Sequence, residues 1–204
     1  MQPVVNDELI RDYFNRMAAA WDGTVAETDA AKLAGMVARL DIAAGATVMD
    51  AGTGTGILIP LLLEKITPAG HLFAMDYADE MIRIAQGKGF QGHIDYITAP
   101  ITAVPLPDAA LDAVVCYACF PHFHDKAGAL CEINRLLKKG GALYICHTSG
   151  RAAINHLHRG IAILAEDSLP DGDEMRCLLA TGGFCDVVIR DAEDSYELRA
   201  CKSV

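Results

Sequence analysis

A glycine-rich segment in the first third of the chain could bring backbone close to a ligand. Residues 48–56 read VMDAGTGTG, with glycine at every second position from Gly52 to Gly56. Glycines leave the backbone free of side-chain obstruction, and Asp50 stands two positions before the first of them. The segment predicts a ligand-binding turn between a strand and a helix, with Pro60 in that helix's first turn; a purely structural turn is the alternative.

The glycine spacing and the nearby charge indicate which ligand the turn would take. Dinucleotide sites use G-x-G-x-x-G and place helix amides on a pyrophosphate, whereas this chain has G-x-G-x-G. The Asp50 carboxylate would repel a pyrophosphate but could hold a cationic amino group, directly or through water. These features favour a sulfonium cofactor, S-adenosylmethionine, and disfavour a nicotinamide oxidoreductase.

A second acid follows the next predicted strand. Asp76 comes after His71–Met75 and lies roughly 20 residues beyond the glycine turn, which is ribose-binding spacing. Its carboxylate could accept both ribose hydroxyls, while Tyr77 and Met81 could offer an aromatic ring and a thioether to adenine. Alternatively, Asp76 only caps the following helix.

Histidines cluster after the last two parallel strands, where a sheet of this kind binds its substrates. Five of the seven histidines lie there: His122, His124, His147, His156 and His158. They could act as a general base or orient a substrate, they could hold a metal, or they could be ordinary structural or solvent-facing side chains. We favour His122, then His147, as the base.

The sequence predicts no metal site. The H-x-H at 122–124 is one short pair, and no spacing matches a known zinc signature. Cys116-x-x-Cys119 has no second C-x-x-C partner, and the glycine turn contradicts a thioredoxin-like context.

An inserted helix is predicted over 151–165. One side carries an apolar stripe that suits packing, formed by Ile154, Leu157, Ile161 and Leu164. On a neighbouring side, Arg151, Asn155 and His158 fall within a narrow sector at helical spacing. These three could contact one polar ligand or simply form a solvated face.

Short apolar runs alternate with helical stretches from Thr47 onward, which is typical of βαβ units. Strands are expected at 47–50, 71–75, 94–98, 112–117 and 141–147, and a hairpin over DVVIR (186–190) and SYELRACK (195–202). A helix is expected over 125–139, capped by Asp125 and ended by two lysines and Gly140. Two helices, 7–20 and 29–40, with a break at 21–23, precede the sheet. The predicted fold is α/β, Rossmann-like and doubly wound, with a mostly parallel seven-stranded sheet and a C-terminal antiparallel hairpin.

The length of 204 residues suits one domain. We expect a helical cap (1–45), a cofactor-binding core (46–148), a helical insertion (149–170) and a C-terminal helix and hairpin (171–204).

The amino-acid composition disfavours some classes of binding partner. A formal net charge of −10 disfavours nucleic acid, and no apolar stretch approaches the roughly 20 residues that span a bilayer. The first residues lack a secretory signal, and seven cysteines suggest reduced thiols, so we expect a cytoplasmic protein without membrane insertion. The oligomeric state stays open.

Three segments together resemble the class I S-adenosylmethionine-dependent methyltransferases, particularly the type 11 group that includes quinone-biosynthesis C-methyltransferases. They are VMDAGTGTG (48–56), LFAMDYADEMI (72–82) and VPLPDAALDAVVC (104–116), and the resemblance spans about residues 10–148. It implies that residues 50–56 surround the methionine end, that Asp76 takes the ribose and that 99–101 edge the adenine. Many relatives have an adenine-binding aspartate where this chain has Pro100. Pro100 has no side-chain acceptor, so the backbone amide of Ile101 is the group expected to contact the adenine ring. The predicted cofactor contacts are Asp50, Gly52, Thr53, Gly54, Gly56, Asp76, Tyr77, Met81, Ile101, Cys116 and Tyr117.

The resemblance implies methyl transfer to a small or medium-sized metabolite, enclosed by the N-terminal helices and the insertion. The predicted substrate contacts are Tyr13, Trp21, His124, Arg151, Asn155 and His158. The strand end CYACFPH (116–122) lacks the Asn-Pro-Pro-Tyr-like tetrapeptide of nucleic-acid N-methyltransferases. A non-catalytic domain that binds S-adenosylmethionine or S-adenosylhomocysteine, as a sensor or assembly partner, is the alternative.

Overall fold

A computed structural model describes residues 3–24 and 30–203 of the chain. The helices are α1 (Pro3–Met17), α2 (Trp21–Thr24), α3 (Ala30–Arg39), α4 (Ile59–Ile66), α5 (Asp79–Gly87), α6 (Lys126–Leu136), α7 (Arg151–Arg159) and α8 (Gly172–Thr181). The strands are β1 (Thr47–Ala51), β2 (His71–Asp76), β3 (Ile94–Thr98), β4 (Leu111–Tyr117), β5 (Leu137–His147), β6 (Phe184–Asp191) and β7 (Tyr196–Lys202). None of the helices within these residues has the length and hydropathy that crossing a bilayer requires.

The strands form a seven-stranded sheet in the order β3-β2-β1-β4-β5-β7-β6. The pairs among β1 to β5 are parallel, and β7 runs antiparallel to both β5 and β6. This arrangement confirms the predicted fold class. Strand order reverses between β1 and β4, so a crevice opens beyond their carboxyl ends.

Apolar side chains on the two faces of the sheet build two core layers. Val48 on β1 packs with Leu58 and Leu62 on one face, whereas its neighbour Met49 packs with Leu130 and Ile133 on the other. Because successive side chains of a strand point to opposite faces, one short apolar run supplies both layers. The carboxyl end of β1 is thereby held rigidly in the middle of the fold.

The helix predicted over 125–139 begins as expected but ends three residues early. Asp125 caps α6 by accepting a hydrogen bond from the Gly128 amide at 2.8 Å. Leu137 is already extended and pairs with Leu111 of β4, so the prediction that lysines end this helix was wrong. The Lys138 ammonium instead donates to the Asp112 carboxylate of β4 at 2.8 Å.

The predicted break at 21–23 was also wrong, because Trp21–Thr24 forms α2 after a 3-10 turn at Ala18–Ala20. The second predicted helix corresponds to α3, and its predicted first residue, 29, lies outside the described residues. The predicted insertion helix ends at Arg159, and a 3-10 turn follows at Ala162–Leu164. Its apolar stripe is only partly packed, since Leu157 is 63% exposed.

Candidate active site

A cavity of about 340 Å³ opens at the carboxyl ends of β1, β2, β4 and β5, and α1, α2 and α7 complete its wall. This volume is within the usual range of small-molecule sites. Of the residues predicted as site residues, the cavity wall includes Trp21, Asp50, Gly52, Thr53, Gly54, Asp76, Tyr77, Met81, Ile101, Tyr117, His122, His124, His147 and His158.

The glycine turn is anchored to the neighbouring strand through its backbone. The amides of Gly52 and Thr53 both donate to the carbonyl oxygen of Met75, at 2.8 and 2.9 Å. Gly52, Gly54 and Gly56 have φ of +71°, +55° and +87°, which L side chains rarely adopt. The alternating glycines therefore allow the positive φ angles that this turn needs, and the turn lines the cavity.

Substituting Gly52 with alanine should destabilise the fold by roughly 2–4 kcal/mol. A Cβ there would lie 2.5 Å from the Cβ of Cys119, on top of the cost of its positive φ. Urea unfolding followed by circular dichroism measures the change. Gly87→Ala is the matched control, because a Cβ at Gly87 meets nothing within 4 Å. A loss in Gly52→Ala no larger than that of the control would contradict the steric argument.

Asp50 lies beneath this turn at the end of β1 and is almost fully buried. One of its carboxylate oxygens accepts a hydrogen bond from the Thr53 hydroxyl at 2.6 Å. Burial raises the pKa of Asp50 to about 7, and the nearby charge of Asp76 contributes to the same shift. A cationic ligand group would offset the cost of a buried carboxylate here.

Asp76 ends β2 with both carboxylate oxygens fixed by backbone amides. Gly54 and Ala78 each donate to one oxygen at 2.8 Å, so the acid connects the glycine turn to the start of α5. Burial raises the pKa of Asp76 despite these hydrogen bonds. Each oxygen keeps a further lone-pair direction for a ligand hydroxyl. Asp76 does not cap α5, because the N-cap residue of this helix is Ala78. The ribose-binding prediction stays open.

The wall beyond Asp76 suits a flat, uncharged ring. Tyr77, Met81 and Ile101 line it, and the Arg11 guanidinium lies 5.4 Å from the centroid of the Tyr77 ring. Met81 is 2% exposed and packs against Ala78. An aromatic ring and a thioether can give dispersion contacts to a purine.

Four histidines also line the cavity, His122, His124, His147 and His158, and we call them the histidine wall. Its centre is Asp167, a side chain only 2% exposed in the loop that follows α7. One Asp167 oxygen lies 2.7 Å from His122 Nδ1, and the other lies 3.3 Å from His124 Nε2. The Asp167 backbone carbonyl is 2.9 Å from His158 Nδ1. A single acidic residue therefore organises three of the four histidines.

Neighbouring groups fix the position of His122 further. It belongs to the 3-10 turn Phe120–His122, and the Lys126 ammonium holds this turn by donating to the carbonyls of Pro121 and Phe123 at 3.0 Å. The Phe14 ring of α1 meets the His122 ring edge-on at a centroid distance of 5.1 Å. The imidazole is thus held from its own turn and from the N-terminal helix.

His124 connects α1 to the same acid. Its Nδ1 lies 2.5 Å from a carboxylate oxygen of Asp7, while its Nε2 faces Asp167. His147, at the end of β5, is different, because it is 5% exposed and its Nε2 has no hydrogen-bond partner among the described residues. Burial lowers the pKa of His147 to about 3, with the nearby charges of His122 and His158 adding to the shift, so its ring is neutral.

Residues 49–145 match the family model described as a methyltransferase domain. The chain carries a methyltransferase domain. It is 35% identical to the demethylmenaquinone methyltransferase of Thermus thermophilus over 100 residues, 48% of this chain and 45% of that protein. It is 32% identical to the demethylmenaquinone methyltransferase of Tropheryma whipplei over 148 residues, 69% of this chain and 59% of that protein.

The fold of the methyltransferase domain is shared with solved structures. A chain from the complex of the Haloferax volcanii Trm112 methyltransferase activator with a methyltransferase matches with a TM-score of 0.78 at 20% identity, covering 94% of this chain and 98% of that one. The comparisons confirm the resemblance to methyltransferases that the sequence predicted. This chain spans about half the length of the curated relatives that it matches.

Five residues predicted to contact cofactor or substrate lie off the cavity wall of the methyltransferase domain. A Cβ on Gly56 would meet Ile59 and Phe90 at 2.8 Å, so this glycine permits packing behind the turn. Cys116 is fully buried within β4. Tyr13 is next to Phe14 on α1 but lies on a different side of the helix, about 100° away.

The other two, on α7, hold the fold instead. Arg151 pairs with Asp191 of β6 at 3.3 Å. The Asn155 amide exchanges two hydrogen bonds with the Leu169 backbone, at 3.0 and 2.9 Å. Only His158 of the predicted polar sector lines the cavity of the methyltransferase domain.

Sequence reasoning missed Asp167, Phe14 and Asp7. Asp167 lies in an irregular segment that no motif marks, 45 residues from the histidine it contacts. Phe14 was detectable only as one of several apolar residues of an N-terminal helix. The missed residues all contact histidines that the sequence did indicate.

Proposed function

We propose that this chain transfers a methyl group from S-adenosylmethionine to an uncharged small or medium-sized metabolite. The observation that carries the proposal is that one cavity is lined by Asp50 and Asp76 and also by the histidine wall. A histidine held by a buried acid at the cavity favours catalysis over a sensor that only binds the cofactor. We further propose that residues 1–204 act as one domain in the cytoplasm on a small molecule and not on nucleic acid.

The cofactor end suits the polar groups of S-adenosylmethionine. Asp50 would hold the ammonium group, and Asp76 would accept both ribose hydroxyls. Tyr77, Met81 and the backbone of Ile101 would contact adenine. When bound, the cofactor supplies a methyl group already activated on a sulfonium, so the residues mainly need to align an acceptor and exclude water.

His122 is the proposed general base. Because an ionised Asp167 can only accept hydrogen bonds, the nitrogen of His122 that it contacts carries the proton. The other ring nitrogen, Nε2, then keeps a lone pair that can take a proton from a hydroxyl, an amine or an activated carbon. Neutral His147 also lines the cavity and would contact the acceptor from the end of β5.

The charged side chains that line the cavity limit the charge that an acceptor can carry. Four carboxyl groups line it, those of Asp7, Asp50, Asp76 and Asp125, whereas Arg11 is the one lysine or arginine in the wall among the described residues. An anionic acceptor would meet net repulsion in a partly dry site. An uncharged hydroxyl-bearing ring satisfies this constraint, and the relatives named demethylmenaquinone methyltransferases support an acceptor of that kind.

Cofactor affinity is expected to increase as the pH rises through about 7. The Asp50 carboxyl, whose pKa is raised to about 7, is largely protonated at pH 6 and ionised at pH 8. Because only the ionised form pairs with the cofactor ammonium, S-adenosylmethionine should bind roughly 5–10-fold more tightly at pH 8 than at pH 6. Calorimetric titrations at the two pH values measure this ratio. Asp50→Asn should bind more weakly and with no such pH dependence; an unchanged ratio in that variant would contradict the assignment.

The proposal is tested by incubating the chain with methyl-labelled S-adenosylmethionine and matched pairs of acceptors. Each pair would contain a neutral phenol or hydroquinone and its carboxylated analogue. We expect label transfer to neutral members and little to the anionic ones. Transfer only to anionic acceptors would overturn the charge argument. Cofactor binding without transfer to any acceptor or to a metabolite extract would favour the sensor.

A further inference from the structure

A group of three potential metal ligands lies at the opposite end of the sheet from the cavity. His71 is the first residue of β2, and His93 directly precedes β3. The parallel register pairs Leu72 with Ile94 and places Asp95 opposite Phe73. Because side chains alternate along strands, His71, His93 and Asp95 all project from one face of the sheet.

The three side chains already contact one another. His71 Nε2 lies 2.8 Å from a carboxylate oxygen of Asp95, and the rings of His71 and His93 are stacked with centroids 3.7 Å apart. One ligand atom from each residue lies within 4.8 Å of the other two. His93 and Asp95 are exposed, and His71 is half-buried against Phe73, so an ion has open access.

We propose that His71, His93 and Asp95 bind a divalent zinc-class transition-metal ion, with water completing the coordination. Two imidazole nitrogens and one carboxylate oxygen form a donor set that suits Zn²⁺ and neighbouring late first-row ions, and not Mg²⁺ or Ca²⁺. The ion would replace the proton on His71 Nε2, which moves to His71 Nδ1 through solvent, and would draw the three donors to about 2.0–2.2 Å from the ion. The exposed His93 and Asp95 side chains are free to make this adjustment.

The consequence is structural. β3 is an edge strand that pairs only with β2 in the described sheet. An ion shared by His71 and the two β3-side residues would fasten this edge to the body of the sheet. It would stabilise the folded state in proportion to its concentration, because the unfolded chain has no such preformed site. The methyl-transfer proposal does not depend on this site.

The test is calorimetric titration of the full, tag-free chain with ZnCl₂, together with thermal unfolding in the presence and absence of the ion. We expect saturable binding and a raised melting temperature. His93→Gln and Asp95→Asn should each weaken binding about tenfold or more. His156→Gln is the matched control, because His156 is an exposed histidine on α7 outside the group; it should leave binding unchanged.

Two further measurements keep the test decisive. Titration of His124→Gln with ZnCl₂ shows whether the ion binds at the histidine wall instead. The absorption spectrum of the Co²⁺-substituted chain shows whether thiolates bind the ion, since the chain has free cysteines. Binding lost only in His124→Gln, a thiolate-to-cobalt band, or affinity unchanged in both His93→Gln and Asp95→Asn would each overturn the proposal. Melting temperatures of the metal-free variants check that folding is preserved. S-adenosylhomocysteine titration of His93→Gln separates this site from the cofactor site, because its cofactor binding should be unchanged.

Discussion

Replacing Asp76 with alanine is expected to weaken S-adenosylhomocysteine binding by roughly 100-fold. The substitution removes the proposed acceptor of both ribose hydroxyls. It also leaves the amides of Gly54 and Ala78 without the oxygens that they now contact at 2.8 Å. The expected loss corresponds to about two charge-assisted hydrogen bonds. Isothermal titration calorimetry measures it directly.

Two comparisons show whether the effect is specific. Asp173→Ala removes an exposed acid from the first turn of α8 and should leave cofactor affinity unchanged. Asp76→Asn keeps an oxygen acceptor without the charge and should bind with intermediate affinity. Thermal unfolding of each variant separates a lost contact from a damaged fold. An Asp76→Ala affinity within about threefold of the native value would remove this residue from the cofactor site.

Replacing Asp167 with asparagine is expected to lower kcat by about 100-fold or more with little change in cofactor affinity. An asparagine amide presents either a donor or an acceptor to His122 Nδ1, so it no longer fixes the tautomer in which Nε2 is the base. Asp167 is therefore a positioning residue that acts through the imidazole 2.7 Å away. The rate is measured with a neutral acceptor that supports turnover in the matched-pair assay.

A second readout separates positioning from general damage. Nitrogen NMR of the labelled histidines should find the His122 proton on Nδ1 in the native chain and redistributed in Asp167→Asn. His122→Asn should lose a similar factor in kcat, and the double variant should lose little more, because the two residues act as a unit. Asp173→Asn changes an exposed acid on α8 in the same way and is the control, so its kcat should be unchanged. Unchanged turnover in Asp167→Asn, or a loss matched by equal losses of cofactor binding and stability, would contradict the assigned role.

The glycine turn and Asp76 could be predicted because their geometry is local. Strand, turn and helix follow one another directly, so the order of residues from Asp50 to Gly56 carries the conformation. Asp76 stands at the end of β2, and both β2 and its neighbour β1 were recognisable from the sequence. The carboxyl ends of neighbouring parallel strands must meet at one edge of the sheet, which brings both acids to one cavity.

Asp167 could not be predicted, since its role depends on how an irregular loop folds back over the sheet. Helix ends were misplaced for a similar reason. Leu137 is compatible with continuing α6, but its pairing with Leu111 on a strand distant in sequence makes it extended. Periodicity identified the polar sector of α7 without indicating which side faces the cavity. Arg151 and Asn155 bind other parts of the fold, and only His158 reaches the site.

The central claim is that this cavity binds S-adenosylmethionine. Calorimetric titration of the native chain with S-adenosylhomocysteine, at pH 8 where the Asp50 carboxyl is ionised, tests it most directly. The account predicts saturable single-site binding and a raised melting temperature. A folded chain that gives neither binding heat nor thermal stabilisation would contradict it.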